Sequence, residues 1–291
     1  MIIRSRGEKI FDVINVFIMI VFAALFIIPA LLMICSSFTA TRELTLYGYS
    51  LIIRKFSLEY YKSIFGMESN QFVLSLGNSV FVSGLTTFFM VLTTSFFAYA
   101  ITRKQMKFKK ILSFYLIIPM LFSGGTIPYY LIVNGLGLMN SLWAIILPGS
   151  VSAWYILLVK NFFSSLSESL NEAAEIEGAS NFQVLFHITL PLGFPIIATI
   201  ILYTAVGTWN DWFQASIFLD SNHYNLWPLQ AFVRRLQDSD EFLKSYFGNT
   251  SLNFNGIRTA AVILSLIPII MVYPFVQRFF IEGTMVGSVK E

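Results

Sequence analysis

Charge is missing from this chain in five long runs, and that absence limits the fold more than any motif does. No Asp, Glu, Lys or Arg occurs at 13–41, 69–102, 111–159, 178–210 or 259–277. A helix needs about 20 predominantly apolar residues to cross the hydrocarbon core of a bilayer. The run at 111–159 is long enough for two crossings, with Gly124, Gly125, Pro128, Asn134, Gly135 and Gly137 marking the bend. The expectation is an all-α membrane protein with six spans, near 14–36, 75–101, 111–133, 141–159, 192–213 and 259–277. Composition agrees, since 56% of the 291 residues are hydrophobic and 12% charged, about half the charge of an ordinary soluble domain. A water-soluble globular fold is excluded.

The first span is read as retained. Arg4, Arg6 and Lys9 precede it as they would a secretory signal, but its apolar stretch runs from Val13 past Ile34, beyond the roughly 7–15 residues of a signal core. The lone Cys35 follows bulky Met33 and Ile34, unlike a lipoprotein cleavage site, and one cysteine forms no intrachain disulfide. Basic residues set the expected orientation. Arg103, Lys104, Lys107, Lys109 and Lys110 crowd one short connection that has no acid. With Arg4, Arg6 and Lys9 they place both termini and the segment 160–191 in the cytoplasm. Connections near 37–70, 124–140 and 214–257 then face outward, the last a polar loop with some helix. The net charge of +3 forms no nucleic-acid patch.

Segment 160–191 carries the densest local signals. Ser169 with Glu172, and Ser180 with Gln183, fit the capping box, in which the cap hydroxyl and the third side chain satisfy each other's free backbone N–H. Gly178 stands where a left-handed C-cap ends the first short helix. Phe182, Leu185, Phe186 and Thr189 then recur at helical spacing as a mostly apolar stripe. No core exists in such a loop to bury it. A protein-docking surface and an amphipathic helix lying on the membrane both fit.

The segment resembles the EAA motif of permease subunits of ABC importers. Glu172, Ala173 and Ala174 are followed at the family's spacing by Gly178, then by Ile188, Leu190 and Pro191. Asn78-Ser79, Ala98-Tyr99-Ala100 and Arg103 resemble the opening of that transmembrane domain. The tail from Gly283 through Gly287 to Lys290 resembles carbohydrate permeases of the maltose-importer G type, on the oligosaccharide branch of Gram-positive bacteria; Glu291 stands where glycine is more familiar. Coverage is nearly complete, strongest over 72–290. The resemblance implies a type I importer transmembrane domain in the bacterial cell membrane. Residues 1–71 would form an N-terminal helix and outer loop, 72–280 the core, and 281–291 a cytoplasmic tail. It implies that Glu172, Ala173, Ala174, Gly178, Phe182, Leu185, Phe186, Ile188, Leu190 and Pro191 couple to an ATPase, and that Gly283, Gly287 and Lys290 reach toward it. The implied partners are a homologous permease, two ATP-binding subunits holding ATP and Mg, and an extracellular substrate-binding lipoprotein. No Gly-x-x-x-x-Gly-Lys-[Ser/Thr] loop occurs in this sequence, so ATP binding by that route is left to another polypeptide.

Along the second span Ser79, Ser83, Thr86, Met90 and Thr93 share a row. They are either a wall of the translocation pathway or small residues for tight helix packing. Trp209, Asn210, Asp211, Trp212 and Gln214 lie near the far end of the fifth span. They are either an interfacial aromatic belt or a cavity mouth where indoles stack on sugars and polar groups meet hydroxyls. Tyr129, Tyr130, Trp154 and Tyr155 read as packing or belt residues. His187 and His223 lack partners at metal-ligand spacing, and no catalytic set emerges. The chain therefore reads as a non-enzymatic half of an import pathway for a sugar or oligosaccharide. Its rivals are a permease for another solute and a stand-alone secondary transporter, which would carry ionisable residues deep in its spans.

Overall fold

The computed structural model describes residues 6–67, 70–248 and 251–286. Its helices begin with α1 (Arg6–Ser37), α2 (Thr41–Tyr47), α3 (Glu59–Phe65), α4 (Gln71–Thr102), α5 (Lys109–Leu121), α6 (Thr126–Gly135), α7 (Trp143–Gly149) and α8 (Ala153–Ser165). They continue with α9 (Glu168–Ile176), α10 (Asn181–Val184), α11 (Leu190–Leu192), α12 (Phe194–Asn210), α13 (Phe213–Phe218), α14 (Leu229–Asp238), α15 (Asp240–Phe247) and α16 (Phe254–Val286). A π turn over Leu185–Thr189 joins α10 to α11. Among the described residues the β pairing is a single bridge between Thr39 and Phe56.

Four stretches are long and apolar enough to cross a bilayer: Ile10–Ser37, Gln71–Thr102, Trp143–Ser165 and Phe254–Val272. Two bent pairs qualify only when each is read as one span. Helices α5 and α6 meet at 116°, and Asn181–Leu192 meets Phe194–Asn210 at 79°. The expected continuous helix over 111–133 is thus interrupted. Phe122 is extended and Gly125 has φ +83° with ψ 180°, a region open essentially to glycine alone. Gly124 and Gly125, read as part of the bend between two crossings, instead break the first of them. The fifth predicted helix starts late, at Phe194, because Gly193 closes the preceding turn. A Cβ there would come within 2.5 Å of the Phe163 ring. The polar segment 214–257 is more helical than its composition indicated, holding α13, α14 and α15.

The chain divides into two compact units. One comprises Met1–Asn70 and Arg235–Ile267. Tyr60, Ile64, Leu243 and Ile257 are fully buried in it, and Phe38 stacks between Phe56 and Tyr61. Gly256 lies flat on Tyr60, where a Cβ would fall 2.0 Å from the ring. Arg258 donates to the Leu236 carbonyl and pairs with Asp240. The apolar window of α1 has no buried residue, so this helix's hydrophobic surface is left outside the unit's own packing.

The other unit comprises Gln71–Arg234 and Pro268–Glu291. Helix α4 runs through it and packs on α12 and α8. Small residues on α4, among them Ser75, Ser79, Ser83, Thr86 and Ala98, are buried and let the neighbouring backbones approach closely. Apolar clusters result, a small one of Ile101, Leu116 and Ile156 and two larger. One gathers Val82, Val133, Ile146, Phe218 and Trp227. The second gathers Met90, Tyr99, Val159, Phe163, Val184, Leu185 and Ile200, and the candidate site is built over it.

Candidate functional site

Helices α9 and α10 form an elbow whose geometry is fixed by backbone chemistry. Gly178 has φ +84°, a left-handed conformation natural to glycine. Its N–H donates to the Glu175 carbonyl at 3.0 Å, and that of Ala179 donates to the Ala174 carbonyl at 2.9 Å, the paired bonds of a Schellman cap. Two residues on, the Ser180 hydroxyl accepts from the Gln183 N–H (3.4 Å) while the Gln183 side chain accepts from the Ser180 N–H (2.7 Å). The second expected capping box is formed. The first is not. Helix α9 begins at Glu168, with Ser167 as its cap, so Ser169 is already helical. The Ser169 hydroxyl bonds that of Ser167 at 2.6 Å, and Glu172 is drawn to Lys104 instead.

The apolar stripe splits at the π turn. Leu185 and Thr189 are buried together with Val184, which the spacing argument missed although it is an apolar neighbour of Leu185. Phe182 and Phe186 stay 67% and 51% exposed, each meeting Phe96 edge-on near 6 Å. Ile188 and Leu190 pack partly against the cluster beneath, as does Ala174. Ala173 and Pro191 are exposed. Leu170 is also exposed, and Ile176 is 88% exposed. The elbow is therefore rigid in backbone and decorated with large apolar side chains that its own chain leaves uncovered. Exposed patches of this kind mark protein or membrane contacts.

The basic connection after α4 meets the acids of α9, which sequence reading treated only as an orientation signal. Lys104 lies 2.7 Å from Glu168 and 3.4 Å from Glu172. Its hydrogen bond to Glu168, then the Glu168 charge and Glu172, hold the ammonium pKa above its ordinary 10.5. Arg103 pairs with Glu175, and Gln105 reaches the same carboxylate at 3.5 Å.

Toward the opposite end of α4 and α12 some polar groups are consumed internally, while the buried Ser83 and Thr86 hydroxyls and the Trp209 indole N–H make no hydrogen bond among the described residues. The Ser79 hydroxyl accepts from the Leu229 N–H at 2.7 Å. Thr93 donates to the Ser150 carbonyl at 2.7 Å. Ser83, Thr86 and Met90 are buried. Asp211 starts α13, its carboxylate accepting from the N–H groups of Phe213 (2.9 Å) and Gln214 (3.2 Å). Asn210 donates to Val206 of its own helix, and Gln214 accepts from the Tyr129 hydroxyl at 3.2 Å. The two indoles part company. Trp212 carries the Arg234 guanidinium 4.8 Å over its ring, whereas buried Trp209 lines a groove of about 260 Å³ with Ser83, Val206 and Pro268. That groove is almost wholly apolar. Gly283 lies within α16; Gly287 and Lys290 lie outside the described residues. Among the described residues no group of three or more His, Cys, Asp or Glu is placed to hold a metal ion.

Helices long and apolar enough to cross a bilayer, with a surface-exposed elbow between two of them, mark a multi-pass membrane protein. No family model matches the chain. It is 36% identical to protein LplC of Bacillus subtilis over 291 residues, covering 99% of this chain and 97% of that one. It is 35% identical to the polygalacturonan/rhamnogalacturonan transport system permease protein YtcP of the same organism, covering 97% and 99%. A crystal structure of a bacterial ABC transporter involved in the import of the acidic polysaccharide alginate superposes with a TM-score of 0.88 at 26% identity, over 96% of this chain and 100% of that one. The chain belongs to the permease subunits of ABC transporters for sugar import.

Proposed function

We propose that this chain forms one half of the translocation pathway of an ATP-driven importer for a sugar or oligosaccharide, and that it takes its energy from a separate ATPase through the α9–α10 elbow. The observation that carries the reading is the exposed set Leu170, Ile176, Phe182 and Phe186 on a backbone locked by Gly178 and Ser180. A rigid scaffold transmits displacement. Uncovered apolar side chains at its surface supply the desolvated anchors on which protein interfaces concentrate their binding energy.

In this reading the two bent pairs are spans, which gives six crossings. The basic residues after α4 then place both termini and the elbow in the cytoplasm. A homologous permease completes the pathway, two ATP-binding subunits dock on the elbows of the pair, and a substrate-binding lipoprotein delivers solute from outside. ATP hydrolysis belongs to the docked subunits. Their closure shifts the permease between two states, so the elbow has different contacts in each. The relative named for polygalacturonan/rhamnogalacturonan transport supports a carbohydrate solute.

The test is uptake by variants in the assembled transporter. Gly178→Pro and Glu172→Lys are expected to abolish coupled uptake while the chain still inserts in the membrane. Normal uptake by both would sink the proposal. Competition of labelled oligosaccharide uptake by unlabelled sugars, amino acids and peptides separates a carbohydrate importer from a permease for another solute.

A further inference from the structure

We propose that Arg103 is the positioning residue through which the elbow moves α4, with Glu175 as its seat on α9. The inference rests on the importer reading and extends it to the route by which displacement leaves the elbow. Arg103 directly follows the last residue of α4, Thr102. Its side chain is 14% exposed in a connection that is otherwise solvated. The guanidinium pairs with Glu175 and lies 5.3 Å over the ring of Tyr99, which is itself buried on α4. One cation thus touches the end of α4 through a ring and the side of α9 through a carboxylate.

Glu168, Glu172 and Glu175 stand at i, i+4 and i+7, one face of α9. The connection after α4 answers that face with Lys104 and Arg103, but the two cations are not equivalent. Lys104 and both of its acids are more than half exposed, and solvated pairs of this kind contribute little. Arg103 is sheltered, pairs with its carboxylate through one guanidinium nitrogen and lies over an aromatic ring, a planar arrangement that lysine does not reproduce. The carboxylates divide the work accordingly. Glu172, loosely held at 3.4 Å, stays free to meet another polypeptide. Glu175, paired with the sheltered Arg103, fastens the elbow to its own chain. Displacement of α9 is then delivered to the foot of α4, and Ser79 stands about 36 Å along the same rigid helix at 1.5 Å per residue.

The experiment uses the complete transporter in proteoliposomes, reading solute moved per ATP hydrolysed together with the amount of ATPase subunit copurified. Arg103→Ala and Glu175→Ala are each expected to lower solute moved per ATP by about five- to tenfold, a typical coupling effect, with copurified ATPase unchanged. Arg103→Lys is expected to recover little of it. The charge-swapped pair R103E/E175R is expected to restore most of what R103E alone loses. Multiplying losses in the swapped pair would overturn the proposal, as would unchanged coupling in the single variants. Loss of copurified ATPase in R103A would overturn it as well, because the residue would then serve docking. Glu172→Lys keeps the two readings apart. If it uncouples while the swap fails to rescue, Arg103 is wrong and the importer reading stands. If neither it nor any Arg103 variant alters uptake, the importer reading falls too.

Discussion

The two ends of α12 treat their polar and apolar groups in opposite ways. At the α9–α11 end, Phe182 and Phe186 project from a locked backbone and a row of acids faces solvent. At the α13–α14 end, the Asp211 carboxylate is spent on backbone N–H groups, Ser79 is spent on Leu229, and Asn140 and Asp220 bond each other twice. Leaving large apolar groups in water is unfavourable, and the first end carries more of that cost, with Ile176 88% and Phe182 67% exposed against 49% for Phe213 and 39% for Trp212 at the second. The difference teaches which surface turns its side chains outward and which spends more of its polar groups on its own chain.

The comparison breaks most decisively at the aromatic pair. Phe182→Ser with Phe186→Ser is expected to weaken ATPase association by about thirtyfold or more, since hot-spot anchors are worth at least ~2 kcal/mol. Stability of the permease in detergent is expected to stay near wild type, because both rings are mainly exposed. Pull-down with the ATPase subunit and a thermal melt read the two effects separately. A melting loss with full association would reverse the assignment of that end.

The next largest effect is structural. Gly256→Ala drives a methyl into the Tyr60 ring and is expected to cost about 1–3 kcal/mol, as overpacking does. It should be seen as earlier protease cleavage near Tyr60 without any change in the ATPase bound.

Asp211 offers a sharper cut. If its carboxylate only starts α13, Asp211→Asn keeps an acceptor oxygen and is nearly silent, while Asp211→Leu costs about 1 kcal/mol, the usual value of a lost cap. Uptake that falls tenfold in Asp211→Asn at unchanged stability would return the residue to the substrate pathway.

The smallest expected effect is a pH dependence. Asp220 accepts from His223 at 2.7 Å, from the Asn222 N–H at 2.9 Å and from Asn140 at 3.0 Å. The His223 bond, followed by the backbone bond from Asn222, holds its carboxyl below the ordinary 3.8. A lowered carboxylate contributes stability that is present above its unfolded value and lost as pH falls through the folded one. Wild type and Asp220→Asn are therefore expected to differ slightly at pH 5–7 and to converge below about pH 3.8. Melts of the two proteins across that range check it.

Much of the elbow was legible in the sequence because its determinants are near neighbours. Gly178 needs only the preceding helix to make its cap, and Ser180 needs only Gln183. Ser169 failed by the same logic, since Ser167 offered an earlier start and Lys104, 68 residues from Glu172, competed for the glutamate. Periodicity predicted one stripe at Phe182, Leu185, Phe186 and Thr189. A π turn and the cluster under α10 divided it, because burial is set by what lies beneath the helix.

By itself, the sequence determined that the chain belongs in a bilayer, roughly where its apolar runs lie, and that one segment carries a capped and glycine-turned elbow. Those properties follow from solvation and from hydrogen bonds a few residues long. Tertiary structure alone decided that Lys104 takes the Glu172 carboxylate, that Ser79 meets the Leu229 N–H, and that Arg103 sits against Glu175. Each of these depends on which distant group arrives first to satisfy a charge, a ring or a backbone N–H, and spacing along the chain carries no record of that competition.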